Sequence, residues 1–95
     1  MTTEVRIKTI KAVLEPKRIK ILTYLYKSES CVCEMVRELK IRHNLLSHHL
    51  STLTELGVLE NRKKGRHSIY RIKDGKRKCI STILDLLNNK SADCN

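Results

Sequence analysis

NLLSHHLSTLTELGVLENRKKGRHSIYRI, residues 44–72, decides the fold. In its first half Leu45, Leu46, His49, Leu50, Leu53 and Leu56 fall on one stripe at helical spacing, and Gly57 supplies a stop. The opposite face carries Asn44, Ser47, His48 and Ser51, with no Lys, Arg or Glu between residues 44 and 54. In a chain with 20 Lys and Arg residues, a helix face kept free of charge is reserved for a contact. His49 shares the leucine stripe, so it reads as a buried, hydrogen-bonded packing histidine that orients the helix and not as a base contact. From residue 58 the helical period is lost. Residues 58–72 read as two short strands joined by a turn at Lys63, Lys64, Gly65 and Arg66, which makes a basic hairpin.

Working outward, residues 40–43 form a turn, and before it Val32, Met35, Val36 and Leu39 mark a short helix over 32–39. Ile19, Ile21, Leu22, Leu25 and Tyr26 mark a longer helix that ends in the polar residues 27–30. Val5, Ile7, Ile10, Val13 and Leu14 give a first amphipathic helix, stopped by Pro16, a residue suited to the first turn of the next helix. Beyond the hairpin, Ile80, Ile83, Leu84 and Leu87 stripe a last helix over 75–88, with Asp74 as its cap. The expected order is four helices, two strands and a helix: a mostly α fold with one β-hairpin, spanning residues 1–90 as a single domain, with 91–95 as a flexible tail. At 95 residues a lone core buries a limited share of the surface, so association with a second copy would help.

The formal charge of +10 favours a polyanionic partner through counterion release. A membrane is excluded as that partner, because no stretch approaches the roughly 18 to 20 apolar residues of a spanning helix. The N-terminus mixes charges through its apolar positions, unlike a signal peptide, which points to the cytoplasm. An enzyme is not expected, since no nucleophile, base and orienting group converge. Double-stranded DNA fits instead. Two short helices, a tight turn and a hairpin with a cationic tip form a winged helix-turn-helix, whose second helix enters the major groove. Asn44 can pair bidentately with adenine, while His43, Ser47, His48 and Ser51 can meet bases or phosphates. Lys63, Lys64 and Arg66 reach backbone phosphates or the adjoining minor groove.

The chain resembles the ArsR/SmtB family of winged-helix repressors from Leu14 to about Leu87. LEPKRIKILTYL is similar to the family's second-helix segment, SHHLSTLTELGVLE to its recognition helix, and RKKGRHSIYRI to its wing with the inward tyrosine, here Tyr70. The resemblance implies a homodimer built on the first and last helices, with Ile7, Ile10, Ile80, Ile83, Leu84 and Leu87 at the interface. It also implies binding to an inverted repeat, released by an inducer. Two half-sites would then be centred about one helical turn, roughly 34 Å, apart. The turn of Lys40, Ile41, Arg42 and His43 departs from the family pattern, having no Gly, Pro or good capping residue where Ser or Pro is frequent.

SCVCEMV, residues 30–36, is similar to the family's third-helix metal or metalloid motif, which implies that Cys31 and Cys33 are thiolate ligands. Side chains two apart in a regular helix point to nearly opposite sides, so both cysteines cannot hold one ion if both are helical. Glu34 lies three residues after Cys31, which places Cys31 at the cap of a capping box and outside the regular helix. An ion on both thiolates would hold or unwind the first turn of this positioning helix, and a helix N-terminus favours thiolates. Trivalent arsenic or antimony, which prefers three thiolates, is the first expected inducer, with cadmium, lead or zinc behind it. Cys79 and Cys94 are the remaining thiols and the candidates for a third ligand, although Cys79 also suits packing beside Ile83 and Leu86. No cofactor is required for DNA binding itself. The last helix has Asp85 but no histidine, so a second site there is not expected. A thiol redox or persulfide switch using the same cysteines, or a DNA binder indifferent to ligands, are the competing readings.

Overall fold

A computed structural model of the chain describes residues 3–87. Its elements are α1 (Thr3–Val13), α2 (Pro16–Lys27), β1 (Ser30–Cys31), α3 (Val32–Leu39), α4 (His43–Glu55), β2 (Leu59–Lys64), β3 (His67–Ile72), a 3-10 turn (Asp74–Lys76) and α5 (Arg77–Leu87). Cys94 and the expected tail lie outside the described residues.

Local chemistry explains most boundaries. The Glu15 carboxylate accepts from the amides of Lys17 at 2.6 Å and Arg18 at 3.1 Å, and Pro16 follows at the first helical position of α2. That cap uses two of the amides a helix start leaves unpaired. The end of α4 is a Schellman motif: Val58 N donates to Leu53 O and Gly57 N to Thr54 O, both at 3.0 Å. Gly57 sits at φ +82, the left-handed position that this motif gives to glycine. Between α3 and α4 the same job falls to Lys40 at φ 56, whose amide bonds to Val36 O. A side chain in that conformation costs roughly 1–2 kcal/mol, and the buried Ile41 beside it anchors the turn. Arg42 then caps α4 without any side-chain bond.

The core is aliphatic. Ile21, Leu22 and Leu25 of α2 and Met35 of α3 meet Leu46, Leu50 and Leu53 of α4, closed by Leu59 and Ile72 of the hairpin and Ile80 and Leu84 of α5. Leu45 departs from the expected stripe: it is exposed, because the buried arc of α4 is narrower and centres on residues 46, 50 and 53. Ile80 and Leu84 depart from the expected dimer interface, since both are buried within the protomer. Arg77 reinforces this seating of α5 on α2, donating to Tyr26 O at 2.9 Å while its guanidinium lies 4.5 Å from the Tyr26 ring centroid. Asp74 is not the cap of the last helix. It opens the 3-10 turn, Lys73 precedes it without a side-chain cap, and its carboxylate accepts from Arg71 instead.

The hairpin belongs to a three-stranded antiparallel sheet of order β1-β3-β2. Lys64 faces His67 as the last pair, leaving Gly65 and Arg66 as a two-residue turn with Gly65 at φ +64. A positive φ at the first turn position matches the twist of the flanking strands. The added strand β1, which pairs Ser30 with Tyr70 and Cys31 with Ile69, was not foreseen from the sequence.

Candidate functional site

Helix α4 presents its polar residues as one strip. Asn44, His48 and Ser51 are exposed and Ser47 is half-buried, all within two turns of the face opposite the leucines. His43 is exposed at the start of the helix. The orientation of this strip is set from behind by His49, which is buried and accepts from Arg18 Nε at Nδ1, 3.0 Å away. Arg18 also donates through Nη1 to Ala12 O, so one guanidinium ties the end of α1, the start of α2 and the middle of α4 together. Burial holds the His49 imidazole below its ordinary pKa, which favours the neutral, accepting ring.

The cationic hairpin divides into two parts. Near its base, Arg62 pairs with Glu29 at 2.6 Å, and Arg71 pairs with Glu60 at 3.2 Å and with Asp74. At its tip, Lys63, Lys64 and Arg66 are exposed, and no ion pair among the described residues neutralises them. The tip therefore keeps its charge available to an external anion, beside the polar strip of α4. A cleft of about 350 Å³ lies between them, lined by Val32, Cys33, His43, Ser47, Arg66, His67, Ser68 and Tyr70.

Of the two cysteines, Cys33 lines that cleft and Cys31 stands beside it in contact with Cys33. Cys31 is the N-cap of α3 with φ −88 and ψ 162, an extended residue outside the regular helix, and Cys33 lies in the first turn. This break in helical geometry brings the two Sγ atoms to 3.0 Å. The capping box itself is not formed: Cys31 makes no side-chain cap bond, and the Glu34 carboxylate accepts from Ser30 Oγ at 2.7 Å. Ser30 is buried, and its hydroxyl takes the Glu34 carboxylate as its acceptor. The hydrogen bond between the two sulfurs lowers the Cys31 pKa and raises that of Cys33. The two sulfurs share one hydrogen bond, so loss of a proton from the pair leaves the remaining proton held between them.

A third donor, which the sequence reading missed, joins them. The ligand atoms of Cys31, Cys33 and His67 all lie within 4.8 Å of one another. Two donors bonded to one ion at about 2.0–2.3 Å stand no more than about 4.6 Å apart, so small side-chain adjustments let this trio share a thiophilic ion. Of the expected third thiolates, Cys79 is exposed on α5 and is not part of the cluster, nor is it packed away as its neighbours suggested, and Cys94 lies outside the described residues. The terminal helices also expose apolar side chains: Ile7, Ile10 and Leu14 at one end of the chain, and Leu86 and Leu87 at the other. Ile83 is partly buried against the core. No described helix is long and apolar enough to cross a membrane.

Comparison with known proteins places these features. Residues 15–61 match the family described as "Bacterial regulatory protein, arsR family". The uncharacterized HTH-type transcriptional regulator MJ1325 of Methanocaldococcus jannaschii is 38% identical over 78 residues, covering 81% of this chain and 88% of the relative. The arsenical resistance operon repressor of Staphylococcus xylosus is 27% identical over 85 residues, or 90% of this chain and 82% of its own. Among solved structures, the homodimeric winged helix-turn-helix DNA-binding domain of Mb0332 from Mycobacterium bovis superposes with a TM-score of 0.84 at 19% identity. It covers 97% of this chain and 85% of that one, and bears on the fold alone.

Proposed function

Because the chain belongs to the arsR family of bacterial regulatory proteins and is a DNA-binding transcriptional repressor of it, not an enzyme, we propose that it binds an inverted-repeat operator as a homodimer. We further infer that it lets the operator go when a thiophilic metal or metalloid ion occupies Cys31 and Cys33. The DNA surface is the polar strip of α4, with Asn44, Ser47, His48 and Ser51 facing base edges and His43 at the entrance. The wing tip adds Lys63, Lys64 and Arg66 as phosphate contacts. The exposed apolar residues of α1 and α5, Ile7, Ile10, Leu86 and Leu87, with Leu14 just past the end of α1, form the dimer surface together with the half-covered Ile83. Ile80 and Leu84 support that surface from inside the protomer.

The single observation that carries the inducer reading is the 3.0 Å contact between the two Sγ atoms at the start of α3. An ion that takes both sulfurs must displace both protons and fix the Cys31–Cys33 geometry. That geometry is also the hinge between β1 and α3, and α3 packs on the recognition helix α4. Ion and DNA are therefore coupled through one joint, and an ion that prefers a different joint geometry weakens DNA by the same factor that DNA weakens the ion. The two thiolates by themselves admit trivalent arsenic or antimony as well as soft divalent cations such as cadmium, lead and zinc.

The test is fluorescence anisotropy of the reduced protein on DNA from upstream of its own gene, titrated with arsenite, antimonite, cadmium, lead, zinc and peroxide. Release by an ion that is lost in both Cys31→Ser and Cys33→Ser supports the reading. Release by peroxide alone would replace it with a thiol redox switch, and release by none of these would leave a repressor indifferent to ligands.

A further inference from the structure

Strand β1 has a consequence for the thiol site. Across the β1–β3 ladder Cys31 stands opposite Ile69, so these two side chains leave the sheet on the same side. His67 precedes Ile69 by two residues on β3 and therefore shares that side. A diagonal neighbour of this kind is within reach of a long side chain, and Cys33 folds back over both from the first turn of α3. The outcome is the donor cluster of two sulfurs and one imidazole, with all ligand atoms within 4.8 Å of one another. Cys33 and His67 are exposed and Cys31 is half-covered, so an ion can enter from solvent, and a fourth coordination position stays open to water.

We propose that His67 is the third ligand of the Cys31–Cys33 site, that the site is selective for a borderline-soft divalent cation such as cadmium or zinc over trivalent arsenic, and that the ion ties the wing to α3. This rests on the inducer reading above and narrows it. Imidazole is a good ligand for zinc-like ions, and a set of two cysteines and one histidine with an open position is a recognised zinc arrangement. Trivalent arsenic prefers a third thiolate and gains little from a ring nitrogen. The expectation from the cysteines alone, arsenic or antimony first, gives way on this donor set.

The placement of His67 also supplies a direct route to DNA. It is the first residue after the wing turn, next to Arg66, and it lines the same cleft as His43 and Ser47 of α4. An ion bonded to His67 and to both sulfurs fixes the distance between the wing and the positioning helix. DNA must set that distance for itself when Arg66 and α4 engage the duplex together. Where the two settings differ, the ion displaces DNA without any longer relay.

The experiment compares the wild-type protein, His67→Gln, His67→Cys and Cys31→Ser, each titrated with cadmium alone and with arsenite alone under reducing conditions. Cadmium is followed by thiolate-to-metal absorption in competition with a chelator, and ring-nitrogen NMR reports His67 directly. His67→Gln is expected to weaken cadmium by at least about tenfold, the loss that removing even an outer-shell partner can cause. Its arsenite binding should stay unchanged, which also certifies that the variant is folded. The cadmium concentration needed to release DNA should rise in parallel. His67→Cys, with three thiolates, should strengthen arsenite. Cadmium affinity within about threefold of wild type in His67→Gln, or no gain of arsenite in His67→Cys, would overturn the role of His67. If Cys31→Ser still loses both ions in that case, the inducer reading survives; if Cys31→Ser also binds both as before, the two fall together.

Discussion

Neutralising the wing tip should remove a calculable part of DNA affinity. Lys63, Lys64 and Arg66 are exposed without ion pairs, whereas Arg62 and Arg71 are already paired with Glu29, Glu60 and Asp74. Of the hairpin's cations, the three tip residues are therefore the ones free to replace counterions on phosphate, which makes six charges in the proposed homodimer. Each contributes about −0.9 to the slope of log affinity against log salt, so the tips supply a slope of roughly −5. A fourfold rise in salt, from about 50 to 200 mM, would then cost the tips about three orders of magnitude in affinity. The assay is anisotropy of labelled operator DNA across that salt range with Lys63→Gln, Lys64→Gln and Arg66→Gln combined. The variant should bind more weakly at low salt, with a slope flatter by about 5. Because the tip is solvent-exposed, thermal stability should change little. A slope within about 1 of wild type would show that the wing does not engage phosphate, and the docking described here would be wrong.

Leu50 is wholly buried between α4 and its neighbours, and Leu50→Ala should destabilise the fold by about 2–5 kcal/mol, read as a lowered denaturation midpoint; an unchanged midpoint would remove Leu50 from the core. Ile10 is 47% exposed on α1, and Ile10→Glu should shift sedimentation from dimer towards monomer; an unaltered dimer would move the interface away from α1. Burial lowers the His49 pKa in the fold, where Glu15, Arg18, His48 and Lys17 are the charged or titratable groups acting on it. The unfolded chain therefore takes up that proton first as pH falls. His49 thus supports the fold fully above about pH 6.5 and progressively less as pH falls through its depressed folded value, with a slope of at most about 1.4 kcal/mol per pH unit. His49→Gln should flatten the decline in melting temperature between pH 7 and 5, and an identical decline would assign it to other groups.

Periodicity was a sufficient guide where burial followed a single element. The short third helix was expected over 32–39 and spans Val32–Leu39, and the stop assigned to Gly57 is the left-handed residue of a Schellman motif. Cys31 was placed outside the regular helix by a spacing argument, and its extended dihedrals agree. The capping partner differs from the expected one, because the Glu34 carboxylate accepts from Ser30, one residue before the cap, and Ser30 is also a residue of β1. Likewise Ile80 and Leu84 lie on an apolar stripe that can face either the protomer or a second copy. Only the seating of α5 on α2 through Tyr26 and Arg77 decides which.

The sequence by itself determined the order of the five helices and the hairpin, the polar strip on α4, the cationic tip and the two cysteines, since each depends on residues close in the chain and on spacings of two to four. Tertiary structure alone decided which charges on the hairpin are spent in ion pairs, what orients His49, and which residue stands third beside Cys31 and Cys33. His67 is 34 positions from Cys33, and nothing in its own surroundings marks it. A two-residue strand sets the register that brings it to the thiols, and register is a property of paired chains that one chain's periodicity cannot carry.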